Sequence, residues 1–223
     1  MASTKGRIMR FLSGFALARA TVESVQALGG FRRLQLRWDG KPFAAGAKVQ
    51  LLLPSDEVRT YTPVRSPEGM TLLGWKHGDG PGAQWLDAVR PGDEVAFVGP
   101  QRSLTLDRGP LVLVGDETSV AVAAAYAGER PGQVHAVIQT DAAAQVREAA
   151  ASVGLAQIDV VARGDTIATT AAVVAHRSTA SDGVCAVTGG SELVVEVRAA
   201  LRKAGIREIA TKTYWIPGRT GLD

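Results

Sequence analysis

Along the first hundred residues, apolar and polar positions alternate in short runs, broken at close intervals by turn-forming residues. Residues 21–26 and 31–38 flank Gly29-Gly30, a hairpin-like pair. Asp39-Gly40-Lys41-Pro42 marks a second turn, and 49–53 reads as the next strand. A further strand over 70–75 runs into the glycine-rich Gly78-Asp79-Gly80-Pro81-Gly82. Pro81 and Gly82 then open a short helix over 83–89. Arg90-Pro91-Gly92-Asp93 turns the chain, and 94–98 returns as a strand. Many short strands carrying a single helix predict a small antiparallel, Greek-key β-barrel.

The pattern changes at Pro110. Leu111-Val112-Leu113-Val114 is a continuous apolar run, as expected of a strand buried on both faces. Further strands over 134–139, 158–162, 184–187 and 206–210 alternate with helices over 119–127, 142–153, 169–176 and 191–204. That alternation predicts a parallel, doubly wound nucleotide-binding type of sheet. The expected fold class is all-β plus α/β, with a barrel domain over 1–108 and an α/β domain over 109–223.

Composition narrows the picture. The 223 residues are enough for two cores, and 46% apolar with 21% charged residues is the range of soluble globular proteins. A net charge of +3 is mild and suits a polyanionic ligand. Basic residues are scattered rather than interleaved with aromatics, which argues against a nucleic-acid interface. Cys185 is the single cysteine, so no internal disulfide or CxxC pair exists, and a reducing, cytoplasmic setting fits. Lys5, Arg7 and Arg10 precede an apolar stretch over 11–18 that imitates a secretory leader. It is short, and Arg19 stands where small residues should set up cleavage, so a short N-terminal helix is expected instead. No run reaches the length of a membrane span. His77, His135 and His176 lack the spacing of a zinc ligand set, and no metal site is expected.

Candidate chemistry begins at Arg59-Thr60-Tyr61-Thr62-Pro63-Val64-Arg65, which follows the 49–53 strand. On a strand, Arg59 and Tyr61 share a side. A flat, electron-poor ring that carries phosphates suits the set. Tyr61 can lie along the ring, Arg59 can fork onto phosphate oxygens and Thr62 can hydrogen-bond a ring nitrogen. Taken alone, these residues read better as an ordinary strand with exposed charges and one half-buried tyrosine. Gly78, Gly80 and Gly82 allow close backbone approach, and the helix that follows offers N–H groups to an anion. Gly78-x-Gly80-x-x-Ala83 mimics a dinucleotide fingerprint but lies in the barrel half rather than opening a βαβ unit. Gly115-Asp116-Glu117-Thr118 sits at the carboxyl end of the first parallel strand, the edge where open α/β sheets bind ligands. Capping of the next helix by Thr118 or Ser119 is a sufficient account of either one alone. Asp141 could accept a ribose hydroxyl, although a surface acid in the first turn of a helix explains it more simply.

Four pieces occur in a telling order: Arg59-x-Tyr61-Thr62-Pro63-x-Arg65; His77-Gly78 with Gly80-Pro81 and Trp85; Gly115-Asp116-Glu117-Thr118; and Tyr214-Trp215-x-x-Gly218. Together they resemble the siderophore-interacting, FAD-binding ferric reductases of the ferredoxin-reductase class, over roughly residues 18–218. The resemblance implies FAD held by Arg59 at its phosphates, with Tyr61 facing the isoalloxazine, Thr62 near N5 and Val64 among the contacts. It implies that His77, Gly78, Gly80, Pro81, Gly82, Ala83 and Trp85 wrap the pyrophosphate. Gly115, Asp116, Glu117, Thr118 and Ser119 would border the flavin and an entering nicotinamide, and Tyr214 and Trp215 would dock on the cofactor from a tail. In the wider class a cysteine often stands beside the nicotinamide, as Cys185 would, although a buried inert thiol is the simpler account.

The implied activity passes electrons from NADH or NADPH, or from a ferredoxin, through FAD to a ferric siderophore, with Tyr61 and Thr62 at the reacting ring. Lys48, Lys76, Arg102 and Lys212 are candidates for attracting the anionic chelate. A reductase feeding a protein partner, and a flavin- or chelate-binding module without turnover, are the alternatives. Two departures from the family stand out. Gly189-Gly190-Ser191-Glu192 replaces a usual Gly-Glu pair, and Ile216-Pro217 with Arg219 replaces a basic tail.

Overall fold

Seven antiparallel strands build the first unit of the computed structural model, which describes residues 17–178 and 183–219. They are β1 (Ala18–Leu28), β2 (Phe31–Arg37), β3 (Ala47–Leu52), β4 (Val58–Tyr61), β5 (Pro63–Ser66), β6 (Gly69–Trp75) and β7 (Glu94–Arg102). Leu28 pairs with Phe31 across Gly29-Gly30, and Gly29 takes the φ of 58° that this tight turn requires. The strand order is β4-β3-β7-β1-β2-β6-β5. The two edge strands are therefore β4 and β5, yet only Thr62 separates them in the chain. Consecutive Cα atoms lie about 3.8 Å apart, so the two edges must meet, and the sheet curls into a barrel with its seam at Thr62. The expected N-terminal helix lies outside the described residues.

Alternation puts Leu34, Leu36, Val49, Leu51, Met70 and Phe97 inside the barrel, all with essentially no exposure. Trp38 closes on Phe97 edge to face, with centroids 5.8 Å apart. Helix α1 (Pro81–Ala88) buries Trp85 and Leu86 in the same core. It sits so close to β6 that a Cβ on Gly74 would come within 2.7 Å of the Leu86 methyls.

A compact second unit begins at Leu104. The residues before its first strand are tied to it: the Tyr126 hydroxyl donates to the Leu104 carbonyl at 2.8 Å, and Arg130 donates to the carbonyls of Leu106 and Gly109. The chain then runs through β8 (Leu111–Gly115), a 3-10 turn (Glu117–Ser119), α2 (Val120–Glu129) and β9 (Val134–Gln139). It continues through α3 (Ala143–Ser152), β10 (Ile158–Val161), α4 (Thr166–Ser178), β11 (Val184–Gly190), α5 (Ser191–Lys203) and β12 (Ile209–Trp215). The five strands are parallel in the order β10-β9-β8-β11-β12. Every residue of β8 is buried, as its unbroken apolar run requires.

The last strand begins later than the expected 206–210. Gly205, at φ 89°, ends α5 by donating to Arg202, while Ile206 donates to Leu201. This is a Schellman cap, and Ile206 packs with Leu201 in the core as part of it. Tyr214 and Trp215 consequently lie on β12 rather than in a tail. Among the described residues, no helix is long and apolar enough to cross a membrane.

Truncation of Phe97 to Ala should cost about 3–5 kcal/mol. Urea unfolding followed by tryptophan fluorescence checks this, since Trp38, Trp75 and Trp85 all belong to the first unit. A loss below about 1 kcal/mol would be inconsistent with that core.

Candidate functional site

In the first unit, Val49 pairs with Tyr61 and Leu51 with Arg59, so both β4 side chains stand on one face of the sheet. Tyr61 is half-buried. It rests on the barrel core and against Trp85, with ring centroids 5.9 Å apart at 52°. Burial pushes its phenol well above the ordinary range, against the opposing pull of the Arg59 charge, so the ring stays neutral. Arg59 runs alongside Gly82, where a Cβ would lie 3.4 Å from its Cγ and Nε. Its guanidinium bonds the Glu57 carboxylate at 2.5 Å and the Val58 carbonyl at 2.9 Å.

The start of α1 leaves backbone donors uncapped. Its N-cap, Gly80, makes no side-chain cap bond, no acid occupies the first turn, and Pro81 has no N–H to offer. The N–H groups of Gly82 and Ala83 have no acceptor within the helix. Gly78, at φ 59°, and Gly80 have open space where a side chain would stand. An uncapped helix start with a guanidinium beside it attracts phosphate through both the helix dipole and charge-assisted hydrogen bonds. The guanidinium and the backbone donors match the charge of the diphosphate of FAD, and Tyr61, resting on Trp85 and the barrel core, is partly exposed beside them.

Other expected positions fall differently. Trp85 and Val64 are buried, and Trp85 serves as the floor under Tyr61. Thr62 is half-buried at the seam, and His77 is exposed. Arg65 donates to the Phe43 carbonyl and stacks over the Phe43 ring at 5.7 Å. Lys76 is held by Asp87 at 2.5 Å, and Arg32 shares that carboxylate at 3.0 Å. Lys48 pairs with Gln101 and Arg102 with Ala47, so these two cations leave neighbouring strands toward opposite faces. Lys212 is on β12, in the second unit. Lys48, Lys76 and Arg102 are not brought onto one face.

In the second unit, the chain reverses its direction of strand addition between β8 and β11, and ligands of open α/β sheets bind at the carboxyl edge of such a switch point. Asp116 stands there, almost wholly buried, with four donors. Its Oδ1 accepts from Thr118 N and Oγ1 at 2.9 and 2.5 Å, and its Oδ2 from Gly190 N and Trp215 Nε1, both at 2.8 Å. A Cβ on Gly189 would lie 2.6 Å from that Oδ2, and one on Gly190 would lie 2.6 Å from the Trp215 ring. Ser119 is buried and accepts from the Thr188 hydroxyl at 2.8 Å. Glu117, also buried, accepts from Thr140 at 2.6 Å and from Arg163 at 2.5 Å. Arg163 reaches Asp141 as well, at 3.1 Å, so that acid is already engaged. The side chains of Asp116, Glu117, Ser119 and Trp215 thus hold the edge together from within.

One expectation needs correction here. Cys185 is the second residue of β11, not near its end, and the remaining five residues put it roughly 16 Å from the carboxyl edge. Burial pushes its thiol up to about 11, against the attraction of Arg177. His135, Asp159 and His176, which no linear spacing joins, converge in space, with ligand atoms all within 4.8 Å of one another. Glu57, Thr140 and Arg163 were not singled out from the sequence. Glu57 alone had a local signal, two places before Arg59 on an alternating segment.

No family model matches the sequence, and no curated protein matches it at a significant level. Solved structures do match. A siderophore utilization protein from T. fusca is 21% identical, with 93% of this chain and 95% of that one covered and a TM-score of 0.69. The siderophore-interacting protein SipS from Aeromonas hydrophila is 21% identical over 92% and 93% of the two chains, with a TM-score of 0.66. A ferredoxin NADP+ reductase from Neisseria gonorrhoeae, solved with bound FAD and NADP, is 12% identical over 89% and 99%, with a TM-score of 0.69. The chain has the ferredoxin-reductase-like fold. In that fold an antiparallel N-terminal sheet precedes a parallel five-stranded α/β unit, as both units here do.

Asp116→Asn keeps the shape of the side chain but turns an amide N–H₂ toward groups that themselves donate. The expected loss is about 2–3 kcal/mol. Hydrogen exchange should show reduced protection of the Gly190 amide, and unchanged protection there would mean that this carboxylate does not hold the edge.

Proposed function

We propose that the chain is an FAD-dependent reductase that takes electrons from NADH or NADPH, or from a ferredoxin, and delivers them to a ferric siderophore, releasing Fe(II). The observation that carries this reading is the placement of Arg59 beside the uncapped, acid-free start of α1, with Tyr61 on the same face. The fold likeness to proteins of siderophore use supports the substrate class, and the FAD and NADP bound by the ferredoxin NADP+ reductase support the cofactors.

When bound, FAD would supply what a nicotinamide-to-iron transfer needs, accepting two electrons as one hydride and giving them up singly. Arg59 and the Gly82 and Ala83 N–H groups bind its phosphates, with Arg59 exchanging Glu57 for the phosphate oxygens. Tyr61, held from behind by Trp85, offers a neutral ring face along the flavin. Thr62, fixed at the seam between β4 and β5, offers its hydroxyl to a ring nitrogen. The reduced substrate iron is softer and less charged, so the oxygen ligands of the chelate hold it more loosely. Lys76 is committed to Asp87, and Lys48 and Arg102 leave the sheet on opposite faces, so these cations do not act together on an anionic chelate. A second reading, a reductase that delivers electrons to a protein partner, draws on the likeness to the ferredoxin NADP+ reductase and uses the same flavin site.

Anaerobic titration decides between them. FAD-loaded protein mixed with NADH, NADPH or reduced ferredoxin should bleach. A ferric siderophore added with an Fe(II) trap should then restore the flavin colour and yield trapped iron. Failure of every donor to bleach the flavin would reject the enzyme, and bleaching without trapped iron would favour the protein acceptor.

Arg59→Ala should weaken FAD retention about 10- to 100-fold, the equivalent of losing charge-assisted bonds of 1.5–3 kcal/mol. Lys48→Ala should leave it within about twofold, as expected of a charge away from the phosphates. Equal losses, read by equilibrium dialysis of FAD, would place the phosphates elsewhere.

A further inference from the structure

We propose that His135, Asp159 and His176 form a binding site for a divalent transition-metal ion of the zinc class, at the amino edge of the parallel sheet. This edge is opposite the one that holds Asp116, and the proposal stands independently of the flavin chemistry.

The fold itself brings the three together. Asp159 pairs with Val137 across β10 and β9, and His135 lies two residues before Val137, so both polar side chains leave the same face of the sheet. Helix α4 covers that face, since Val173 packs with Val137 in one core cluster. His176 is three residues after Val173, one turn along the same side of the helix.

The geometry is that of a ligand set. Nε2 of His135 lies 3.1 Å and Nε2 of His176 lies 2.9 Å from the same oxygen, Oδ2 of Asp159. Metal–ligand bonds of about 2.0–2.2 Å put neighbouring donors of a tetrahedral shell about 3.3–3.6 Å apart, so the two observed spacings need open by only a few tenths of an ångström to become edges of that shell. The two imidazoles stack with centroids 3.3 Å apart at 24°. Coordination turns the rings apart until both lone pairs aim at the ion, and the partial exposure of His176 and Asp159 leaves room for that movement.

Three protein ligands leave a further coordination position. Both histidines line a cavity of about 600 Å³ together with Gln133, Gln157 and Arg177, which has room for the water or small anion that would complete the shell. Two imidazoles and one carboxylate select zinc, cobalt or nickel over magnesium and calcium, which take shells of oxygen.

The test uses the full chain after chelator treatment and dialysis. Zinc titrated by calorimetry should bind at one ion per chain, and cobalt should give a visible d–d band at the same stoichiometry. Magnesium should give no binding signal. The double substitution His135→Gln with His176→Gln should weaken zinc binding at least about 100-fold, while His77→Gln leaves it unchanged. Asp159→Asn, which keeps the side-chain shape, should weaken it about 10-fold or more and serves as the deciding variant if the double one does not fold. Absence of saturable zinc binding would overturn the proposal, as would equal binding by the histidine variant, by Asp159→Asn, or by magnesium.

Discussion

A single residue cannot bridge distant strands, and that constraint organises the first unit. With β4 and β5 at opposite edges of a seven-stranded sheet and only Thr62 between them, the edges must meet. The ladder of hydrogen bonds stops at this seam, so the backbone there is not fully committed to sheet pairing. Pro63, which has no N–H to give a ladder, suits the edge strand it begins. Arg59, Tyr61 and Thr62 therefore stand where side chains and backbone can face a ligand without breaking the barrel. Helix α1 is fixed beside them by Trp85 and Leu86, and the bare Cα of Gly74 is what allows it so close.

The second unit solves a different problem. A carboxylate taken out of water is strongly destabilising unless its lone pairs are met. Asp116 is buried between strands, and four donors from three separate segments meet it. Gly189 is there because a side chain would collide with that carboxylate, and Gly190 because one would collide with the indole that donates to it. The same acid that a motif would mark as a ligand contact thus acts by joining β8, β11 and β12 at the switch point. Glu117 does the equivalent for β8, β9 and the segment after β10, through Thr140 and Arg163.

The large features were legible because they depend on periodicity. Alternating apolar positions announced strands with one face inward, and the unbroken run 111–114 announced a strand covered on both sides. What failed depended on contacts that only the fold creates. Ile206 looks like the start of a strand because it is apolar, but its burial belongs to the cap of α5. Tyr214 and Trp215 looked like a tail because the strand that carries them had been placed too early. Cys185 seemed close to the ligand edge because glycines do not read as strand, although β11 continues through Gly189 and Gly190. His135, Asp159 and His176 carry no local spacing at all. Their meeting follows from the pairing of Asp159 with Val137 and the seating of Val173, neither of which a linear motif contains.

The pairing of Glu57 with Arg59 bears on how tightly a phosphate can be held. Both side chains are only about a quarter exposed, and a guanidinium in that setting is destabilised without an acceptor. Glu57 supplies one and, together with the Val58 carbonyl, keeps Arg59 alongside Gly82. A diphosphate gains from an already oriented guanidinium, because less side-chain freedom is lost on binding. On the proposed reading it would also have to displace the Glu57 carboxylate. Net affinity is then the difference between two charge-assisted pairs plus the N–H groups of α1, which Glu57 does not use. On that reading, those helix N–H groups, rather than Arg59 alone, would tip the exchange toward phosphate.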